Sequence, residues 1–206
     1  MLVNLFILRA KLTALKIIAP TLILLCLFCM NAEGQLLKTV MPGTNTGFTE
    51  NLEKIVQDYR NNYRRIQGKK IPGQTDMDVY QSTVNLPGCS QALILRFRSK
   101  QDTTAGWQGT MYSGEQYKEA LKIYKSTCKQ IKGCRVNIQG KGAGVFKGTM
   151  ETPDENVRFA GSSFKLDTED KAYRDYYAEV ELVNTGMESW EVHLNLQYKK
   201  DDASEY

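Results

Sequence analysis

The sequence predicts an α+β domain in which two helices cover one face of an antiparallel sheet of six to seven strands. Two observations lead to this fold. Two segments repeat apolar residues at steps of three and four, as amphipathic helices do, and several shorter segments alternate apolar and polar residues, as half-buried strands do. Because each element has one apolar side, packing the helices on one sheet face buries both kinds of apolar surface.

The first 34 residues have the three zones of a secretion signal peptide. Residues 1–16 are basic and contain no acid, residues 17–30 are an uninterrupted apolar run, and Ala32 and Gly34 form a small-x-small exit. We therefore expect signal peptide 1–34 to be cleaved after Gly34, giving a secreted or periplasmic protein.

Two alternatives remain open for this segment. One is a retained membrane anchor, although the apolar run is shorter than the roughly 20 residues of a spanning helix and contains Pro20. The other is lipid attachment at Cys26 or Cys29, although both cysteines follow bulky residues where that processing prefers small ones.

The mature chain of about 170 residues is long enough for one domain with its own core. We divide it into a leader segment 35–47, a single α+β domain 48–198 and a charged tail 199–206. Its acids and bases are nearly balanced and interspersed, so no nucleic acid partner is expected, and no membrane contact after signal cleavage.

In the first half, apolar residues recur from Phe48 to Ile66 and predict a helix with Thr49 as N-cap and Gly68 just after its end. Three strand-like runs follow at 80–86, 93–97 and 107–111. The first has Tyr80, Ser82, Val84 and Leu86 on one face, and Pro87-Gly88 predicts a turn after it. The second has Leu93, Leu95 and Phe97 on its apolar face.

In the second half, Ser113 and Gln116 form a capping-box pattern before a helix that Gly133 ends. Strand-like runs follow at 134–138, 157–166, 176–183 and 190–198. The glycine-rich segment 140–148 lacks the spacing of a phosphate-binding loop. We interpret it as a hairpin tip within loop 140–153, and as a candidate binding loop.

The two halves can also be aligned as a tandem αβββ repeat, 48–112 and 113–198. Tyr59 then aligns with Tyr124, Gly68 with Gly133, and Trp107 with Trp190, with an insertion in the second copy. The alternative is that two amphipathic helices align by chance.

Evidence for catalysis is weak. His193, the only histidine, lies between two apolar residues of a strand, so alternation points it outward as a surface imidazole rather than a catalytic base. No cofactor is expected, and no spacing of Cys and His residues predicts a metal site. The carboxylates Glu179, Glu181 and Glu191 provide the alternative function, a secreted hydrolase.

The leading hypothesis is an exported, non-catalytic module that binds a protein or peptide on the solvent face of its sheet or through segment 140–148. The candidate binding residues are Arg96, Arg98, Tyr112, Tyr177, Glu179 and Glu181. Alternation points them outward, with bases in the first half and acids in the second. The opposite charges could pair within the sheet or join two chains in a weak, salt-sensitive homodimer.

Export would expose three mature cysteines to an oxidising compartment. Cys128 lies on the apolar stripe of the second helix and is predicted to be a buried thiol. Cys89 and Cys134 lie at element ends, so we predict a Cys89–Cys134 disulfide. A Cys128–Cys134 bridge is the alternative.

Overall fold

In the computed structural model, nine strands form one sheet whose order is β1-β2-β3-β4-β9-β8-β7-β6-β5, and every neighbouring pair is antiparallel. The structure describes residues 46–72, 77–98, 104–186 and 189–199. The predicted signal peptide, the leader before Thr46 and the tail after Lys199 lie outside the described residues.

The elements follow one another in two groups. The first group is α1 (Thr46–Tyr59), β1 (Gln67–Ile71), β2 (Met77–Ser82), β3 (Gln91–Phe97) and β4 (Ala105–Gly114). The second is α2 (Tyr117–Gly133), β5 (Arg135–Ile138), β6 (Gly142–Lys147), β7 (Phe159–Asp167), a 3-10 turn (Lys171–Tyr173), β8 (Tyr176–Gly186) and β9 (Ser189–Tyr198). Each helix precedes a meander, and the two meanders meet where β4 pairs with β9.

The α+β class with an antiparallel sheet is confirmed, but the predicted strand number is too low. The prediction missed β1, whose sequence Gln-Gly-Lys-Lys-Ile has one apolar residue, and β6, whose glycines indicated a loop. Gly144 of β6 packs closely on β7, because a Cβ there would lie 3.0 Å from Leu166 Cδ1. The tandem repeat stays unconfirmed, since four strands follow the first helix and five follow the second.

Both helices pack on the same side of the sheet, which we call the inner face. Leu52 and Ile55 of α1, Ile131 of α2, and Ile94 and Leu194 of the sheet are fully buried in one apolar core. The alternation predicted for β9 is confirmed, because its inward-facing residues are buried: Trp190, Val192, Leu194 and Leu196. The opposite side is the outer face.

The helix ends differ from the prediction in ways that follow from loop packing. α1 ends at Tyr59, yet Tyr63 is fully buried, because Asn62 and Tyr63 adopt left-handed backbone conformations (φ 53° and 57°) that turn the chain back into the core. The buried Asp58 carboxylate holds this loop by accepting hydrogen bonds from the backbone N–H of Arg65 and of Ile66. Apolar spacing alone extended the predicted helix through this loop.

The start of α2 also differs, whereas its end is confirmed. Ser113 belongs to β4, and the helix begins at Tyr117 after Gln116, whose side chain makes no capping hydrogen bond. Gly133 is the last helical residue, as predicted. Thr49, predicted as the N-cap of the first helix, lies inside α1.

Candidate functional site

Six apolar residues lie next to one another on the outer face and form what we call the apolar strip. Its members are Ile71, Met77, Val79, Leu93, Leu95 and Phe97. Val79 is paired with Ile71 on one side and Leu95 on the other, and Met77 is paired with Phe97. Val79 is only 4% exposed whereas Phe97 is 53% exposed. None of the six belongs to the helix-covered core, so the strip is a separate apolar surface.

The strip arises because β3 lies in the register opposite to the predicted one. Leu93, Leu95 and Phe97 were expected to face the helices. Instead, Ile94 is opposite Trp107 on the inner face. The run Ala-Leu-Ile-Leu is apolar at every position, so alternation cannot tell its two faces apart. The same continuous run is the signal that both faces of β3 are apolar.

Arg96 therefore does not point outward as predicted. It is opposite the buried Ala105 on the inner face. Its guanidinium donates to Gln67 Oε1 from Nε at 3.0 Å and from Nη2 at 2.9 Å, and to the Asn62 carbonyl oxygen. Arg96 thus ties the loop after α1 to β1 and β3.

Arg98 is half-exposed and pairs with Asp78 rather than with an outer-face acid. Its Nη2 lies 2.6 Å from Asp78 Oδ1, and Lys70 Nζ lies 2.8 Å from the same oxygen. Since Arg96 and Arg98 are engaged on the inner side, the predicted pairing of these arginines with Glu179 and Glu181 within the sheet is wrong. A homodimer stays a prediction, but pairing of these arginines with Glu179 and Glu181 no longer supports it.

The second-half carboxylates do lie on the outer face, as alternation predicts. Glu179 accepts hydrogen bonds from Gln197 Nε2 at 2.8 Å and from Lys199 Nζ at 2.7 Å. Glu181 is opposite His193 in the β8–β9 ladder and has no ion pair within the described ranges. Glu191 is opposite Val183, two residues along β8 from Glu181, so the three acids follow one another along the outer face.

His193 faces outward but is less exposed than expected, with 17% of its side chain accessible. Its Nε2 lies 2.9 Å from Glu191 Oε2, and Ser113 Oγ donates to the other Glu191 oxygen at 3.3 Å. The His193 Nδ1 atom is buried without a hydrogen-bond partner. This arrangement orients the imidazole on Glu191, but it includes no nucleophile that the ring contacts.

The hydrolase alternative requires carboxylates that face one another in a concave pocket. One cleft, of about 310 Å³, is lined by Tyr59, Arg60, Asn62, Thr104 and Ala172. Another, of about 380 Å³, is lined by Lys147, Lys165, Leu166, Asp167, Thr168, Glu169, Asp170, Lys171 and Arg174. Neither includes Glu179, Glu181 or Glu191, so a hydrolase stays a prediction without geometric support.

The two tyrosines predicted as recognition residues differ in position. Tyr177 lies on the outer face, where the Lys165 ammonium sits 5.3 Å from its ring centroid. Tyr112 does not, because a β-bulge between Thr110 and Tyr112 shifts the register and places Tyr112 opposite the buried Val192. Its ring packs against the core margin instead of pointing to solvent.

The predicted Cys89–Cys134 disulfide is not formed. Among the described residues, Cys89, Cys128 and Cys134 are free thiols. Cys89 Sγ donates to the Gln91 carbonyl at 2.8 Å, whereas Cys134 Sγ lies 3.4 Å from Thr49 Oγ1 on α1. Proximity to element ends therefore did not bring these two sulfurs together. Cys128 is fully buried, as predicted.

The chain matches no protein-family model, no curated protein and no solved structure. Within the described ranges, no helix is long and apolar enough to cross a membrane. The same residues include no cluster of three or more His, Cys, Asp or Glu side chains placed to hold a metal ion.

Proposed function

We propose that this chain is an exported protein- or peptide-binding module and that the apolar strip of the outer face is its contact surface. The observation that carries the proposal is the outward-facing β2–β3 surface. The uncovered face of an antiparallel sheet is ordinarily polar. Here neighbouring strands place Val79, Leu95 and Phe97 side by side on it, outside the main core. Phe97 is exposed and its neighbours Met77 and Leu95 are partly exposed, and apolar side chains grouped on a surface are typical of interaction sites.

The chemistry of the strip favours a polypeptide partner. Its residues are aliphatic apart from Phe97 and Met77, and they lie on strands rather than in a closed cavity. A flat apolar surface suits side chains presented by another protein, whereas small molecules bind mainly in concave pockets. The exposed Phe97 ring is the residue best placed to anchor such a partner, since aromatic side chains dominate interface energetics.

The test is site-specific photo-crosslinking in the native host. A benzoylphenylalanine is introduced at Phe97, and in a matched protein at Ser163, which is exposed on the outer face of β7. We expect a discrete protein adduct from position 97 that position 163 does not give. A Leu93→Glu substitution in the strip should abolish the adduct from position 97.

A chain that gives no adduct from position 97, or the same adduct from position 163, would contradict the proposal. Thermal unfolding of each variant checks that the fold is kept. Because Phe97 is largely exposed and outside the core, its replacement should change the free energy of unfolding by less than about 0.5 kcal/mol.

A further inference from the structure

The two edge strands of the sheet differ in what covers them, and a helix covers one of them, β5. At β5, the Asn137 backbone N–H donates to Glu53 Oε2 at 2.9 Å, and the Asn137 carbonyl accepts from Gln57 Nε2 at 2.8 Å. Both acceptor and donor side chains come from α1. Since the backbone groups of an edge strand are what an incoming strand would bind, α1 blocks pairing at this edge.

The other edge, β1, is short and carries Lys69, Lys70 and a β-bulge between Gln67 and Lys70, but in the described part of the chain no helix covers it. β1 pairs with β2 on one side, and within the described ranges no side chain hydrogen-bonds to the backbone of residues 67–71. Ile71 of β1 is also the end of the apolar strip, being opposite Val79. An added strand would therefore gain backbone hydrogen bonds and extend the strip at the same time.

The charge along this edge indicates which occupant fits. Arg64, Arg65 and Lys69 are exposed and have no ion pair among the described residues, whereas Lys70 is paired with Asp78. Two copies joined edge to edge through β1 would oppose these like charges, which is destabilising. A strand that carries acids beside the edge would instead neutralise them.

We propose that β1 binds an extended acidic segment of a partner protein as an additional antiparallel or parallel strand. Apolar residues of that segment continue the strip beside Ile71, and its acids neutralise the exposed bases in β1 and just before it, Lys69, Arg64 and Arg65. This inference rests on the proposed function and specifies the chemistry of its partner.

The probe is a capped synthetic peptide that alternates valine and glutamate, added to the full-length mature protein. Hydrogen exchange of peptide fragments reports the backbone amides of β1 and, as an internal control, those of β5. We expect peptide at about ten times its Kd to slow exchange in β1 by about tenfold and to leave β5 unchanged. A valine–lysine peptide and a valine–glutamate peptide N-methylated at alternate amides serve as matched controls, and neither should protect β1.

Charge reversal gives a second, independent measurement. The double variant Arg65→Glu/Lys69→Glu should lose protection by the acidic peptide and gain it with the valine–lysine peptide. Lys129→Glu, an exposed position on α2, should behave as the wild type.

Several outcomes overturn the inference. Unprotected β1 amides exclude strand addition. If the N-methylated peptide binds as well as the unmodified one, the binding depends on charge and not on backbone hydrogen bonds. Protection of β1 that rises with protein concentration in the absence of peptide assigns the edge to a second copy. If crosslinking from Phe97 succeeds while β1 stays unprotected, only the strand addition fails; absence of both removes the binding function as well.

Discussion

The hydroxyl oxygens of Tyr63 and Tyr176 lie 3.0 Å apart in the fully buried centre of the protein. The Tyr63 hydroxyl donates to the Leu196 carbonyl at 2.8 Å, so the Tyr176 hydroxyl is the donor between the two rings. This chain of hydrogen bonds connects the loop after α1 with β8 and β9. It explains why Tyr63 is held in a left-handed conformation that bulky residues rarely adopt.

The tyrosine pair predicts alkaline sensitivity. Burial raises the pKa of Tyr63 and of Tyr176, so the folded protein retains both protons that the unfolded chain releases. Their stabilising effect is complete below about pH 10 and is lost as pH rises above it, by up to about 1.4 kcal/mol per pH unit for each tyrosine. Urea unfolding between pH 8 and 11.5 measures this slope.

Tyr63→Phe should reduce the alkaline slope and, at pH 7, lower the free energy of unfolding by about 1 kcal/mol, since the Leu196 carbonyl loses its donor. Tyr198→Phe is the matched control, because Tyr198 is 38% exposed. An unchanged slope in Tyr63→Phe would show that other groups cause the alkaline unfolding.

Asp78 predicts an acidic titration that depends on one arginine. The hydrogen bond from Arg98, followed by that from Lys70, lowers the pKa of Asp78 from 3.8 to about 2. A lowered carboxyl pKa stabilises the fold above the unfolded value, and this contribution is lost as pH falls from about 4 to 2. Carboxyl carbon NMR should follow Asp78 directly, and Arg98→Ala should move its pKa towards 3.8. A midpoint that does not change would contradict the assigned ion pair.

The thiols are predicted to be slow nucleophiles. Burial raises the pKa of Cys89 and of Cys128 to about 11, so the thiolate fraction at pH 8 is on the order of one in a thousand. Iodoacetamide should therefore modify both slowly in the native protein and rapidly in urea. Without reduction, urea should allow modification of all three described cysteines, Cys134 included. Detection of a peptide that joins Cys89 to Cys134 in the absence of reductant would instead support the predicted disulfide.

Two glycines predict opposite responses to alanine. A Cβ at Gly148 would collide with the Ser163 carbonyl oxygen and lie 2.9 Å from Phe164 Cδ1, so Gly148→Ala should destabilise the fold by about 1–3 kcal/mol. A Cβ at Gly133, the last residue of α2, would meet nothing within 4 Å. Gly133→Ala should stabilise by about 0.4–1 kcal/mol. Chemical denaturation of both variants measures the difference, and equal effects would contradict the packing around Gly148.

The proposed function depends on the apolar strip, and the sequence alone predicted the faces of some strands but not of β3, which supplies half of the strip. The alternation of β9 was decisive because its outward residues are polar, and the inner-face assignment of Trp190 to Leu196 followed correctly. In β3 the same rule failed by one residue. Apolar side chains occupy consecutive positions 92–95 there, so either face can pack on the core and alternation does not choose between them.

By itself the sequence determined the α+β class, the end of α2 at Gly133 and the faces of β8 and β9, because these depend on short-range periodicity and local backbone preference. Only the tertiary structure decided that Ile94 rather than Leu95 faces the helices, that a bulge turns Tyr112 inward, and that α1 closes the β5 edge. Each of these depends on a contact between segments far apart in the chain. The pairing of Ile94 with Trp107, and the reach of Glu53 to Asn137, arise only when the folded sheet brings those segments together.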